Sequence, residues 1–141
     1  MDIVYTANAV ATGGGRMGLS RTDDGHVTVT MATPTEMGGS GKGTNPEQLF
    51  AVGYAACYLG AMRFAGNKFK ISVPVDASVS ASVGIGGRDD GDGFGIEVTL
   101  NVTLPGMSKE AALDLAAKGH VVCPYSHSIK DNVKVTTNIT A

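Results

Sequence analysis

Two cysteines, Cys57 and Cys123, are the residues of this 141-residue chain best suited to chemistry. Cys57 lies in TNPEQLFAVGYAACYLGAM (44–62), an apolar stretch that reads as a buried helix opened by Asn45 and Pro46. Cys123 lies in VVCPYS (121–126), where a helical pattern meets Pro124 and must stop. One thiol in a dry helix and a second at a distant helix end make a poor metal site and a reasonable redox pair. Each alone also fits a small buried hydrophobe, because free cysteine is among the most buried residue types. Their company tips the balance towards chemistry. Glu47 stands at the start of the apolar helix, where a carboxylate suits the dipole but is costly if buried unpaired. Arg16, in the glycine-rich TGGGRMG (12–18), is its natural partner, since a guanidinium grips a carboxylate in a two-pronged fork. An arginine near a thiol also favours the thiolate, the form that attacks.

Other motifs weigh less. Residues 13–18 match G-x-G-x-x-G, but the continuation LSRTDDGHVTVT is turn and strand, where a dinucleotide site needs a helix. Asp89, Asp90 and Asp92 resemble the start of a calcium loop, yet its twelfth position is Leu100, so a solvated hairpin turn is expected. His26, His120 and His127 share no zinc-site spacing with the cysteines, which leaves a structural hydrogen-bonding role for one of them near the site.

The elements that must position these residues follow from pattern. Residues 2–11 and 26–32 alternate as strands, separated by the glycine-rich stretch and a turn at Asp23-Asp24-Gly25. Residues 33–44 form a long Gly/Pro/Ser-rich loop. Asn45, Pro46 and Gln48 make a good helix start, and the helix that follows has no polar face. It is therefore expected to be buried on all sides, partly against a second chain. Strands are expected at 73–86 and 94–104, joined by the hairpin GRDDGDG, and at 133–140. Ser108 caps a second helix running to about Val122, in which Gly119 is expected to loosen the segment carrying Cys123. The order βββ-α-ββ-α-β, dominated by hairpins, predicts an α+β fold in a single domain, 1–141.

Composition narrows the function classes. Hydrophobic content of 43% and charged content of 17% mark a globular chain. A net charge of −2 with scattered Lys and Arg argues against a nucleic-acid partner. No uninterrupted apolar run reaches the roughly 18 residues of a membrane span, since 49–62 ends at Arg63. The N-terminus lacks the pattern of a secretory signal, so a reducing cytoplasm is the expected compartment. The sequons Asn101-Val102-Thr103 and Asn138-Ile139-Thr140 then read as chance matches within strands.

Taken together, TGGGRMG, the run TNPEQLFAVGYAACYLGAM and VVCPYS resemble the organic hydroperoxide resistance proteins of the OsmC-like superfamily, in order and over essentially the whole chain. The resemblance implies an intertwined homodimer with central helices packed between sheets, which reduces organic hydroperoxides. It implies Cys57 as the peroxidatic cysteine, Cys123 as the resolving cysteine, and Arg16 with Glu47 as the pair that activates the thiol and orients the peroxide. It further implies a Cys57–Cys123 disulfide recycled by dihydrolipoyl groups on lipoylated proteins. The chemistry requires no bound cofactor or metal. The chain departs from the family pattern at HSIKDN (127–132), where an amide, a threonine and an arginine are expected, so His127 and Lys130 alter the rim. Glu47 and Cys57 are ten residues apart, about 15 Å along one straight helix. Either the helix breaks near Gly53 or Glu47 serves a partner's Cys57, and the all-apolar helix favours the partner. The rival class is a non-enzymatic dimeric module that holds a hydrophobic ligand and uses both cysteines for packing.

Overall fold

The computed structural model describes all 141 residues, and the contacts gather into two compact units, 1–49 and 50–141. In the first, β1 (Ala9–Thr12), β2 (Leu19–Thr22) and β3 (Thr28–Thr30) form an antiparallel sheet in the order β1-β2-β3. Sequence pattern placed a strand over 2–11, but pairing begins only at Ala9, and Ile3, Val4 and Tyr5 are exposed. β2 falls where the pattern showed only glycine-rich loop and turn. The loop between β1 and β2 is therefore a hairpin connection with no helix after it, which removes the dinucleotide reading.

The helix α1 (Pro46–Phe69), 24 residues long, begins at the end of the first unit and continues into the second. Its start is a reciprocal cap. Gln48 N donates to Asn45 Oδ1 at 2.9 Å, and Asn45 N donates to Gln48 Oε1 at 3.0 Å. Length and composition alone would let α1 cross a membrane, despite the interruption at Arg63. It serves instead as a core helix: Tyr54, Tyr58, Ala61, Met62 and Ala65 form one buried stripe at helical spacing. The expected all-round burial is not reached within one chain, since Val52 and Phe64 remain 72% and 59% exposed.

In the second unit, β4 (Ser78–Gly87), β5 (Phe94–Thr103) and β6 (Lys134–Thr140) form a sheet in the order β4-β5-β6. β4 and β5 are the expected hairpin, with Asp90 in its turn accepting from Arg88 Nε. β6, by contrast, pairs parallel with β5, so the sheet is mixed. That crossover is made by α2 (Lys109–Val122) and α3 (Pro124–Ile129). The Ser108 cap is present, its Oγ accepting from Ala111 N at 3.2 Å. Alternate β5 residues Val98, Leu100 and Val102 are buried with the α1 stripe and with Ala112 and Leu115 of α2. Each large side chain so buried contributes about 1.5–3 kcal/mol.

Gly119 does not loosen α2; it lets α2 come close to α1. A Cβ there would lie 2.7 Å from Met62 Cγ and 3.3 Å from the Tyr58 ring. Gly119→Ala is expected to lose up to about 2 kcal/mol, because overpacking of about 1–3 kcal/mol is set against a helix-propensity gain of about 1 kcal/mol. The urea midpoint should fall at constant slope. A variant as stable as the parent would show that the gap has slack.

Candidate functional site

The first unit presents a charged pair. The β1–β2 connection carries three successive left-handed residues, Gly13, Gly14 and Gly15, at φ 66°, 91° and 63°. Side chains rarely tolerate one such position, let alone three, so the glycines are what allow the turn. Gly18 closes it, with its Cα hydrogen edge so near the Thr12 and Gly13 carbonyls that no Cβ fits. Arg16 projects from this turn and grips Glu47 in the expected fork, Nη2 to Oε1 at 2.7 Å and Nη1 to Oε2 at 3.0 Å. The hydrogen bond from Arg16 holds the Glu47 carboxyl below its usual range and raises the guanidinium further. Arg16 keeps 38% of its side chain exposed while both terminal nitrogens hold Glu47.

The second unit presents the thiols. Cys57 is partly exposed and Cys123 fully buried; both are reduced, and Cys123 Sγ approaches Cys57 Sγ at 3.6 Å. Closing a disulfide needs only about 1.5 Å of further approach. Pro124 stops α2 as expected, but it also opens α3, leaving Cys123 as the single residue between two helices. Its N–H bonds Gly119 O at 2.8 Å, and its Sγ accepts from Ser126 N at 3.5 Å. Burial raises the Cys57 pKa, and the neighbouring Cys123 adds to that, while a backbone hydrogen bond from Tyr125 offsets part. Within this unit, then, Cys57 resists becoming a thiolate.

Two tyrosines on the same stripe flank Cys57. Tyr54 OH shares a 2.8 Å hydrogen bond with Ser126 Oγ, and Tyr58 OH donates to Ala116 O at 2.8 Å. They pin α3 and α2 to α1 on either side of the thiol pair. Phe50 stacks on Tyr125 with centroids 5.7 Å apart, and Gly53 lets that ring lie close, since a Cβ would sit 3.1 Å from Tyr125 OH. Gly53 thus makes room for an aromatic ring and does not break α1. His120 proves to be the structural hydrogen-bonder among the three histidines, bonded at both ring nitrogens. His127 and Lys130 line a cavity of about 500 Å³ together with Tyr54, His120 and Ser126. No three His, Cys, Asp or Glu residues gather as metal ligands. Sequence reading missed Tyr54, Tyr58 and Ser126. The available signal was spacing: Tyr54 and Tyr58 lie three before and one after Cys57, and Ser126 three after Cys123.

Comparison with known proteins adds independent findings. A family model described as OsmC-like protein matches residues 39–138. The organic hydroperoxide resistance protein of Xanthomonas axonopodis pv. citri is 46% identical over 138 residues, covering 97% of this chain and 95% of that one. The crystal structure of an organic hydroperoxide resistance protein from Legionella pneumophila superposes with TM-score 0.93 at 41% identity, covering 99% and 100% of the two chains. That from Elizabethkingia anophelis gives 0.92 at 40% identity, covering 99% of each.

Proposed function

Because the chain belongs to the OsmC-like protein family, we propose that it is a thiol-dependent peroxidase that reduces organic hydroperoxides to alcohols in the cytoplasm. Its near full-length likeness to organic hydroperoxide resistance proteins supports a part in that resistance. The observation that carries the chemistry is the 3.6 Å approach of a partly exposed and a fully buried thiol.

In this reading the Cys57 thiolate attacks the distal peroxide oxygen, and the alkoxide leaves as alcohol after taking a proton. Cys57 is then a sulfenic acid. Cys123 attacks the Cys57 sulfur, water leaves, and the Cys57–Cys123 disulfide forms. A dihydrolipoyl dithiol of a lipoylated protein restores both thiols by exchange through a mixed disulfide. Cys57 is the sulfur such a dithiol reaches, since Cys123 has no exposed surface. Phe50 and Tyr125, stacked on each other over the buried Tyr54, offer an apolar surface to the organic part of the substrate. They give nothing comparable to hydrogen peroxide.

Burial holds the Cys57 pKa up, so a cation is needed to bring the thiolate within reach of neutral pH. The Arg16–Glu47 fork has that cation on a partly exposed side chain. Yet α1 is unbroken from Pro46 to Phe69, which keeps Glu47 and Cys57 of one chain about 15 Å apart along the axis. The reading that reconciles the two is a homodimer in which the fork of one chain completes the thiol site of the other. Exposed Val52 and Phe64 on α1 supply an apolar surface for such a partner.

Stopped-flow consumption of a bulky organic hydroperoxide and of hydrogen peroxide, with dihydrolipoamide as reductant, tests the reading. Turnover with the organic substrate should exceed that with hydrogen peroxide by at least an order of magnitude, about 1.4 kcal/mol in the barrier. Slow thiols and no turnover with either would favour a non-enzymatic hydrophobic-ligand module.

A further inference from the structure

His120 is a half-buried imidazole that the peroxidase chemistry leaves without a task. Its Nδ1 lies 2.9 Å from Ser126 Oγ and its Nε2 lies 2.9 Å from Thr137 Oγ1. The Tyr58 ring packs on it with centroids 4.5 Å apart. Ser126 Oγ in turn meets Tyr54 OH at 2.8 Å, and Ser126 N rests on Cys123 Sγ at 3.5 Å. One continuous polar chain therefore joins α1, α3, α2 and β6, and it passes through the residue whose backbone touches the buried thiol.

A neutral imidazole satisfies the chain in either direction: Tyr54 O–H to Ser126 Oγ, Ser126 O–H to His120 Nδ1 and His120 Nε2–H to Thr137 Oγ1, or each bond reversed with the other tautomer. Burial lowers the His120 pKa and so favours that neutral form. The chain is buried at Tyr54 and Ser126 and half-buried at His120 and Thr137, and a buried member left unpaired costs about 1–3 kcal/mol. It therefore holds its members rigidly, and the member it holds most consequentially is Ser126.

We propose that His120 is a positioning residue for disulfide closure: its bond to Ser126 keeps α3, and with it Cys123, set for attack on oxidised Cys57. The inference rests on the peroxidase reading and concerns its second step alone. In that step the Cys57 S–O bond breaks and a Cys57–Cys123 S–S bond forms. The Cys57 sulfur is reduced, the Cys123 sulfur is oxidised, and the thiol proton leaves with the hydroxyl as water. Cys123 is the lone residue between two helices, and within the packed core the one hydrogen bond its Sγ accepts comes from the Ser126 N–H. Loosening Ser126 lets the sulfur wander from a 3.6 Å approach that needs only a short further movement.

The test separates the two steps by quenched flow and intact mass after one equivalent of organic hydroperoxide. In His120→Ala, Cys57 oxidation should keep the parent rate within about two-fold, while disulfide formation slows on the order of 10- to 100-fold, the cost of a misplacement near 1 Å. Sulfinic acid should then accumulate under excess peroxide. Ser126→Ala should behave alike, and the double variant should be no slower than either single one. An Asn amide reaches where Nδ1 lies and a Gln amide where Nε2 lies, so His120→Asn should recover most of the closure rate and His120→Gln little. Closure is also read with diamide, a diazene that adds to one thiol and is displaced by the second as the hydrazine, which needs no peroxidase activity. If the parent fails with peroxide yet the His120→Ala delay persists with diamide, the peroxidase reading falls and the positioning role stands. Parent-rate closure in His120→Ala, equal loss of both steps, equal behaviour of the Asn and Gln variants, or additive losses in the double variant would overturn the inference.

Discussion

Cys57→Ser is expected to abolish peroxide reduction, while Cys123→Ser should permit the first oxidation and then stall, without turnover, as sulfenic acid or an overoxidised product when no external thiol is present. The asymmetry follows from exposure and place. Cys57 is partly accessible on the α1 stripe, whereas Cys123 has no accessible surface and lies at the α2–α3 junction. A peroxide can reach the first and not the second. Once Cys57 is a sulfenic acid, only a nucleophilic sulfur within a few ångströms rescues it, and Cys123 Sγ is 3.6 Å away. A serine hydroxyl at 123 cannot take that role, so the product should be sulfenic acid at one equivalent and sulfinic acid at excess. Intact-mass measurement distinguishes the three outcomes. A Cys57→Ser protein that turns over at the parent rate would end the assignment.

Glu47→Ala and Cys57→Ser proteins, each inactive alone, should recover activity when refolded together. The expectation rests on the unbroken α1, which separates the two positions in one chain, and on the Arg16–Glu47 fork that closes within the first unit. In a symmetric dimer, random reassortment places about half of the chains in mixed pairs. Each mixed pair has one site with both residues intact and one with neither, so about a quarter of parental activity should return. Arg16→Ala should substitute for Glu47→Ala in this experiment, because the guanidinium and carboxylate act as one unit. For the same reason, the double variant Arg16→Ala/Glu47→Ala should be less impaired than the two single losses summed. Proven mixed dimers without recovered activity would place each site within one chain, and α1 would then have to bend in solution.

What the sequence determined by itself was local. The Asn45–Gln48 box, Pro46 at the first position of α1, the Ser108 cap and the turn between β4 and β5 all depend on residues within a few positions of one another. Such interactions leave their signature wherever the chain is read. The chemistry was legible for a related reason: cysteine, arginine and glutamate have few bland uses in apolar or glycine-rich surroundings, and the fork between Arg16 and Glu47 formed as their types require. The tertiary structure decided the rest. Residues 2–7 had the alternation of a strand but lie outside the ladder, whereas LSRT gained both neighbours and became β2. Pairing is a long-range property, and alternation by itself does not supply it. The parallel docking of β6 on β5, the start of α3 at Pro124, and the place of Gly119 against Tyr58 likewise depend on what packs opposite. So does the link from Tyr54 through Ser126 and His120 to Thr137: its members span residues 54 to 137, each unremarkable in its own segment, and only the packing of three helices on a sheet brings their polar atoms within hydrogen-bond reach.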